Sequence, residues 1–439
     1  MTTSPVAPSR FPWVGLIALA VASFFSITCE MLPTGLLPEM SRDLDVAESS
    51  IGLLVTVFAF TVVFTSTLLT QATARLPRHR LLVALILVIA LGALGTAVAP
   101  TYGWMIVARV LGGLAHGVFW AITGAYAAHL VPRAQVGKAL AVTSSGLTLA
   151  LVLGVPLGTA LGQAVGWRLA FGILAVLMVG GALLVWRLLP DVGSGRSDAA
   201  TLRQEAQDAA GGTTPVGPGA IVTGSIPVIR AGARARELPD PSVLGVILTC
   251  VVTGVFMIGH YSLYTYVAPF LSQVSGIAPG RLSVVLLAYG LAGAIGLALV
   301  GLLLGKRTAV GVPVMMALVV VVVSLLLLFE GRPLASTISF VLLGVGFGTL
   351  PPLLQTRLLE VAPARIRDLS SSFYGASFNG GIGLGALLGG FVLSGAGIGR
   401  LPLLYLVIAG VMLVVSLVLD RVMQRRHDAV RARRQAVRV

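Results

Sequence analysis

Runs of about 20 apolar residues recur along almost the whole of this chain, and nothing else in it narrows the possible folds so sharply. As an α-helix, such a run crosses the roughly 30 Å of hydrocarbon in a bilayer. Lipid offers no hydrogen bonds, so a crossing segment must satisfy its own backbone, which a helix does and an open strand does not. Twelve runs qualify, at residues 13–37, 50–70, 81–99, 102–130, 138–162, 167–189, 243–271, 281–304, 308–329, 334–359, 369–394 and 400–420. Of the 439 residues 56% are hydrophobic and only 10% are charged, whereas soluble domains carry roughly 25% charged residues. A soluble fold could not hide that surface, so an all-α membrane protein with twelve transmembrane helices is expected.

The net charge of +14 would suit a nucleic-acid binder, but its distribution points elsewhere. If the chain crosses at every run, 18 of its 30 Lys and Arg gather on one side: Arg10, Arg75, Arg78, Arg80, Arg133, Lys138, Lys306, Arg307, Arg357, Arg365, Arg367 and seven in the tail from Arg421 to Arg438. Six more lie in the central loop between Arg187 and Arg236, five fall on the other side, and only Arg109 lies well inside a run, the others within runs standing at or near their ends. By the positive-inside rule both termini and the central loop face the cytoplasm, in a multi-pass protein of the cell membrane. The basic tail should touch anionic lipid, and no nucleic-acid partner is expected. Cys29 and Cys250 both fall in runs and have no metal-ligand spacing, so neither a disulfide nor a metal site is expected. The first run is long enough to be a span and little precedes Phe11, which argues against a cleavable signal.

Residues 190–240 form one long polar interruption rich in Gly, Pro, Ser and Thr, and from Arg187 to Asp240 six arginines offset six acidic residues. Such a segment buries no core and reads as a flexible linker. It divides the chain into a cytoplasmic segment 1–12, a six-helix bundle 13–189, the linker, a second bundle 241–420 and a basic tail 421–439. Sliding the second half onto the first by 231 residues pairs Thr34 with Thr265, Pro38 with Pro269, Gly113 with Gly344, Gly117 with Gly348, Pro132 with Pro363, Gly154 with Gly385, and Gly158 with Gly389. One ungapped offset across five spans implies two pseudo-symmetric six-helix bundles with a small-molecule site between them near the midplane.

A charge in hydrocarbon is costly, so intramembrane ionisable residues are functional candidates. Of sixteen acidic residues only Glu30 sits well inside a span. Ser23, Ser26, Pro33 and Thr34 lie within about 60° of it on a helical wheel, a polar stripe that should not face lipid. On the fourth span Arg109, Gly113, His116 and Trp120 form another narrow stripe. The two spans run in opposite directions, which places Glu30 and Arg109 at one depth, roughly 10 Å below the outer end, and makes a contact between them possible. Burial disfavours a charged carboxylate and a nearby guanidinium favours it. Glu30, with His116, could therefore exchange protons with an aqueous cavity. The plainer alternative is a buried carboxylate that only anchors a neighbouring helix.

Candidate substrate groups in the second half are neutral. His260 shares a face with Thr253 and Tyr264 and is followed by Tyr261; Gln355 aligns with Gly344, Gly348 and Pro351; Asn379 aligns with Ser372, Gly375 and Gly383. With Trp120, these aromatic and amide groups would suit a hydroxylated or amphipathic solute, although small and polar residues also serve helix packing. On the fifth span Gly154, Gly158 and Gly162 make a smooth face, and Pro156 removes a backbone donor and bends the helix.

At these residues the chain resembles the major facilitator superfamily, in particular its twelve-span branch of proton-coupled drug and sugar efflux. Gly154-x-Pro156-Leu157-Gly158, followed by Gly166-Trp167-Arg168-x-x-Phe171, is similar to that branch's antiporter motif, and Arg109-x-x-Gly-Gly to the fourth-helix motif associated with proton coupling. The stretches 28–37 and 115–123 resemble the first- and fourth-helix signatures of bacterial sugar efflux transporters. The loop between spans 2 and 3 departs from the family pattern: Thr70 and Ala74 replace its Gly and Asp, leaving the basic trio Arg75, Arg78 and Arg80. The resemblance implies a monomeric major facilitator fold that exports a sugar-like or drug-like solute, with a proton gradient as energy source and no cofactor. Uptake by symport and a non-transporting receptor of the same fold are the alternatives. An intramembrane enzyme is not expected, because no paired ligands or nucleophile with a base stand out in the sequence.

Overall fold

The computed structural model describes residues 11–132, 135–190, 241–304, 307–363 and 366–417. The expected linker beyond Pro190, the tail 421–439 and the side chains of Arg10, Arg133, Lys306 and Arg365 lie outside them. Among the described residues twelve helices are long and apolar enough to cross a membrane: α1 (Trp13–Gly35), α2 (Glu48–Ala72), α3 (Arg78–Ala97), α4 (Tyr102–His129), α5 (Val136–Val165), α6 (Trp167–Leu188), α7 (Val243–Tyr264), α8 (Pro279–Leu304), α9 (Thr308–Leu328), α10 (Pro333–Val361), α11 (Leu369–Ala396) and α12 (Ile398–Leu417). Large apolar side chains such as Phe64, Leu302 and Leu334 stand outward on them, as lipid rather than water would permit. The protein is a multi-pass membrane protein. The side on which α1 begins and α12 ends is called the terminal side below.

The seventh span is shorter than its apolar run. A helix through residue 271 was the expectation, but α7 stops at Tyr264, and a turn leads into a short helix Val267–Pro269 and a π-helical turn Phe270–Val274. Pro269 causes the break: it has no N–H to donate, and its ring collides with the preceding turn. Its offset partner Pro38 sits in the first turn of a separate short helix, Leu37–Leu44, after α1 ends at Gly35.

Helix pairing repeats under a shift of six. Within the first bundle α1 packs on α5, α2 on α4 and α3 on α4; within the second α7 packs on α11, α8 on α10 and α9 on α10. Between the bundles α2 meets α11 and α5 meets α8, pairs that exchange under the same shift. Gly166 and Gly397, also 231 apart, link α5 to α6 and α11 to α12 with φ of 88° and 86°, a backbone conformation that favours glycine.

Close approach explains the paired glycines. A Cβ on Gly154 would overlap Thr28 of α1, and one on Gly385 would lie 2.6 Å from the Ile258 carbonyl oxygen of α7. Small residues of this kind let helices associate where lipid supplies no hydrophobic drive. Overpacking costs about 1–3 kcal/mol. Gly385→Val is therefore expected to lower the melting temperature in detergent, whereas Gly380→Val, where a Cβ meets open space, leaves it unchanged; equal melting curves for the two would contradict this packing.

The side away from the termini is sealed between the bundles. Thr56 donates to the Gly383 carbonyl (3.0 Å) and Gln273 to the Glu48 carboxylate (3.1 Å). The buried Tyr266 ring abuts Gly52 of α2, and its hydroxyl donates to the Ala386 carbonyl of α11 (2.8 Å). Within the first bundle, Asp43 at the end of the short helix is ion-paired to Arg168 and accepts from the Trp167 indole (3.1 Å). Arg168 in turn donates to the Ala99 carbonyl (3.1 Å). The Trp-Arg pair that opens α6 thus ties down the extension of α1.

Candidate functional site

A cavity of about 530 Å³ lies between the bundles. Its lining reaches Gln355, near the terminal end of α10, and Ser371, near the start of α11, so it extends toward the terminal side. Glu30 and Met31 of α1, Tyr261 of α7 and Tyr289 of α8 line its deeper part. Helix α5 borders it with Leu151 and Val152, which lie in a π-helical turn, Ala150–Gly154, just before Pro156. Proline cannot donate to the preceding turn, and a widened turn is one way a helix absorbs that loss. Val152 also touches α8, where a Cβ on Gly290 would lie 2.6 Å from its Cα. Gly154, Pro156 and Gly158 therefore shape the α1 face and the α8 seam of this helix; none of the three is among the cavity-lining residues.

Glu30 is 4% exposed and His116 and Arg109 are each 3% exposed. The His116 Nε2 stands 3.3 Å from the Glu30 carboxylate, and its Nδ1 is 2.9 Å from the Ser26 hydroxyl. Helix α1 supplies both partners because Ser26 and Glu30 are one turn apart. Their common depth left a contact between the Glu30 and Arg109 side chains possible, and the structure shows a different arrangement. Arg109 reaches the expected depth, but its Nη1 donates to the backbone carbonyls of Cys29 (3.1 Å) and Glu30 (3.4 Å). The guanidinium lies between the Phe58 and Phe171 rings, 5.8 and 5.6 Å from their centroids, and its Nε and Nη2 are buried without hydrogen-bond partners. The carboxylate pairs with the imidazole instead. Hydroxyl, imidazole and carboxylate thus form a string that the sequence did not reveal, but Ser26 is not among the cavity-lining residues and presents no hydroxyl to a solute.

Of the expected substrate groups, Trp120, Tyr261, Gln355 and Asn379 line the cavity. His260 and Tyr264 do not. They stand behind Tyr289 and Phe347, with the His260 ring stacked 4.1 Å from Phe347 and the Tyr264 ring 5.4 Å from Tyr289. A polar residue within a span had read as cavity-facing, but the bundle itself supplies the partners of His260. Arg75 and Arg80 are exposed at the terminal side of α3, and Arg78 is partly buried.

Tyr289, Phe347, Tyr374 and Phe378 also line the cavity and were not singled out from sequence. For the first two a signal existed. The 231-residue offset carries Glu30 to Tyr261, Phe58 to Tyr289, Arg109 to Phe340, and His116 to Phe347. The contacts follow: Arg109 over Phe58 becomes Phe340 stacked on Tyr289 at 4.8 Å, and Glu30 beside His116 becomes Tyr261 edge-on to Phe347 at 6.1 Å. One corner is built twice, ionisable in the first bundle and aromatic in the second.

Comparison with known proteins agrees with this architecture. A sequence model of the Major Facilitator Superfamily matches residues 19–365 and again 249–438. A probable sugar efflux transporter of Helicobacter pylori is 30% identical over 390 residues, covering 89% of this chain and 91% of the relative. One of Haemophilus influenzae is 30% identical over 387 residues, covering 88% and 89%. Among solved structures, the peptide transporter POT in complex with sulfate superposes with a TM-score of 0.69 at 16% identity, covering 94% of each chain. A bacterial homologue of the human lysosomal transporter Spinster, in an inward-facing and unoccupied conformation, gives 0.64 at 15% identity, covering 95% and 96%. With both halves, their glycine crossings and this sequence likeness in accord, the chain belongs to the Major Facilitator Superfamily of transporters.

Proposed function

We propose that this protein exports a sugar-like or drug-like organic solute from the cell by alternating access, in exchange for protons. The observation that carries this reading is the Glu30–His116 pair, 3.3 Å apart and in the wall of the cavity. No other Asp, Glu, Lys or Arg is among the cavity-lining residues. Once Glu30 takes up a proton the cavity lining carries no charged carboxylate, which suits an uncharged solute. Trp120, Tyr261, Tyr289 and Phe347 offer ring faces to its apolar parts, and Gln355 and Asn379 offer amides to its hydroxyls. Export is supported by the efflux named for the relatives and by the antiporter-like motif on α5. With the basic side cytoplasmic, the cavity extends toward the cytoplasm, where a solute would be loaded.

Proteoliposomes with an imposed pH difference test this. Tritiated sugars and amphipathic antibiotics are offered in parallel, and at least one is expected to accumulate against its gradient, with accumulation abolished by a protonophore. Flux of such a solute that ignores both the pH difference and the protonophore removes the proton from the mechanism.

A further inference from the structure

The aromatic corner contains one group that its counterpart lacks. Where the offset places Cys29 in the first bundle, the second has His260. His260 is 1% exposed and does not line the cavity, yet both ring nitrogens have hydroxyl partners: Tyr289 of α8 at 3.1 Å from Nε2 and Tyr405 of α12 at 3.4 Å from Nδ1. Its face lies on Phe347 of α10 at 4.1 Å and 12°. One side chain of α7 thus fastens three other helices, and two of these three partners, Tyr289 and Phe347, are walls of the cavity.

We propose that His260 is a positioning residue for solute recognition, which orients the Tyr289 and Phe347 rings as an aromatic wall for the solute's apolar face without touching the solute. This rests on the sugar-like reading above. Tyr289 has one hydroxyl, and the bond to Nε2 turns that hydroxyl away from the cavity. The ring's apolar body is left to meet the ligand. A neutral imidazole donates from one nitrogen and accepts at the other, so it serves both tyrosines at once. Without it the Tyr289 hydroxyl has no partner at 3.1 Å, and a buried polar group without a bond is costly. The ring is then driven to rotate toward cavity water, which exchanges an apolar wall for a polar one.

The experiment is transport by the full chain in proteoliposomes with two probes that share one sugar, methyl β-glucoside and phenyl β-glucoside. KM and Vmax are measured for wild type, His260→Phe, Tyr289→Phe and the double variant. His260→Phe retains a ring to stack on Phe347, and Tyr289→Phe removes only the hydroxyl. His260→Phe is expected to raise KM for phenyl β-glucoside about tenfold, equivalent to about 1.4 kcal/mol, with much less change in Vmax, whereas Tyr289→Phe, which leaves no hydroxyl to swing into the cavity, is expected to raise it much less. The double variant is expected to fall back toward the Tyr289→Phe value, because the hydroxyl that His260→Phe strands is no longer there. A merely structural role would lower folded protein and Vmax and leave KM alone, and that pattern overturns the proposal, as do additive effects in the double variant. If His260→Phe does not fold, His260→Leu takes its place, since it also strands the Tyr289 hydroxyl and an unchanged KM there contradicts the proposal. A wild type that transports neither probe overturns the sugar-like reading, and this inference with it.

Discussion

Glu30→Gln protein, reconstituted beside wild type, is expected to lose all pH-driven accumulation of solute and to keep downhill exchange of the same solute across the membrane. The substitution isolates one chemical property. Glutamine has the size of glutamate and can still hydrogen-bond to the His116 Nε2 that stands 3.3 Å from the carboxylate. It therefore avoids the roughly 1–3 kcal/mol penalty of leaving a buried polar group unpaired. It cannot bind and release a proton. If Glu30 merely anchored α1 to α4, as its buried site also allows, Gln would serve nearly as well and accumulation would persist. His116→Ala separates the two roles further: it strips the partner but leaves a titratable carboxylate, so weakened but pH-dependent accumulation is expected. Accumulation at wild-type levels in Glu30→Gln vesicles would remove this residue from proton coupling.

Much of this architecture was legible because its signals are local. Hydropathy marks spans one at a time, and the 231-residue offset that pairs Gly154 with Gly385 corresponds in the structure to two equivalent helix crossings. The common depth of Glu30 and Arg109 followed from helix rise alone. What the guanidinium bonds did not, because a helical wheel fixes direction and depth but cannot tell a carboxylate from the carbonyls of Cys29 and Glu30 behind it. The end of α7 was hidden for another reason. Residues 265–271 remain mostly apolar, so hydropathy ran on past the break that Pro269 imposes. The aromatic wall was missed because Tyr289 and Phe347 are ordinary residues in a span, and the offset that pairs them with Phe58 and His116 marks them only once the corner around Glu30 and His116 is known. His260 shows the converse: rare in a span and so noticed, it belongs to the layer behind the wall.

The largest expected effect away from the polar site comes from Gly52→Val. The alternating access proposed above would require the far-side seam to close while the cavity faces the termini, and in this structure Gly52 is where the Tyr266 ring crosses from the second bundle to the first. A Cβ there overlaps the phenol. The ring has little room to retreat, because Tyr266 is fully buried, its hydroxyl is bonded to the Ala386 carbonyl at 2.8 Å, and a Cβ on Gly390 would lie 2.7 Å from that hydroxyl. Overpacking of about 2 kcal/mol, borne only by the state with this seam closed, shifts the balance of states roughly 30-fold toward the opposite one. Gly52→Val should therefore trap the transporter open on the far side and abolish net transport. A Gln355→Cys reporter, in a chain with Cys29 and Cys250 replaced by Ser, reads the cavity from the terminal side, and its labelling by a membrane-impermeant maleimide should fall steeply. Adding Tyr266→Ala to Gly52→Val removes the colliding ring and should restore labelling, which a general folding defect would not allow. Unchanged labelling in Gly52→Val would mean that this seam does not govern which side the cavity faces.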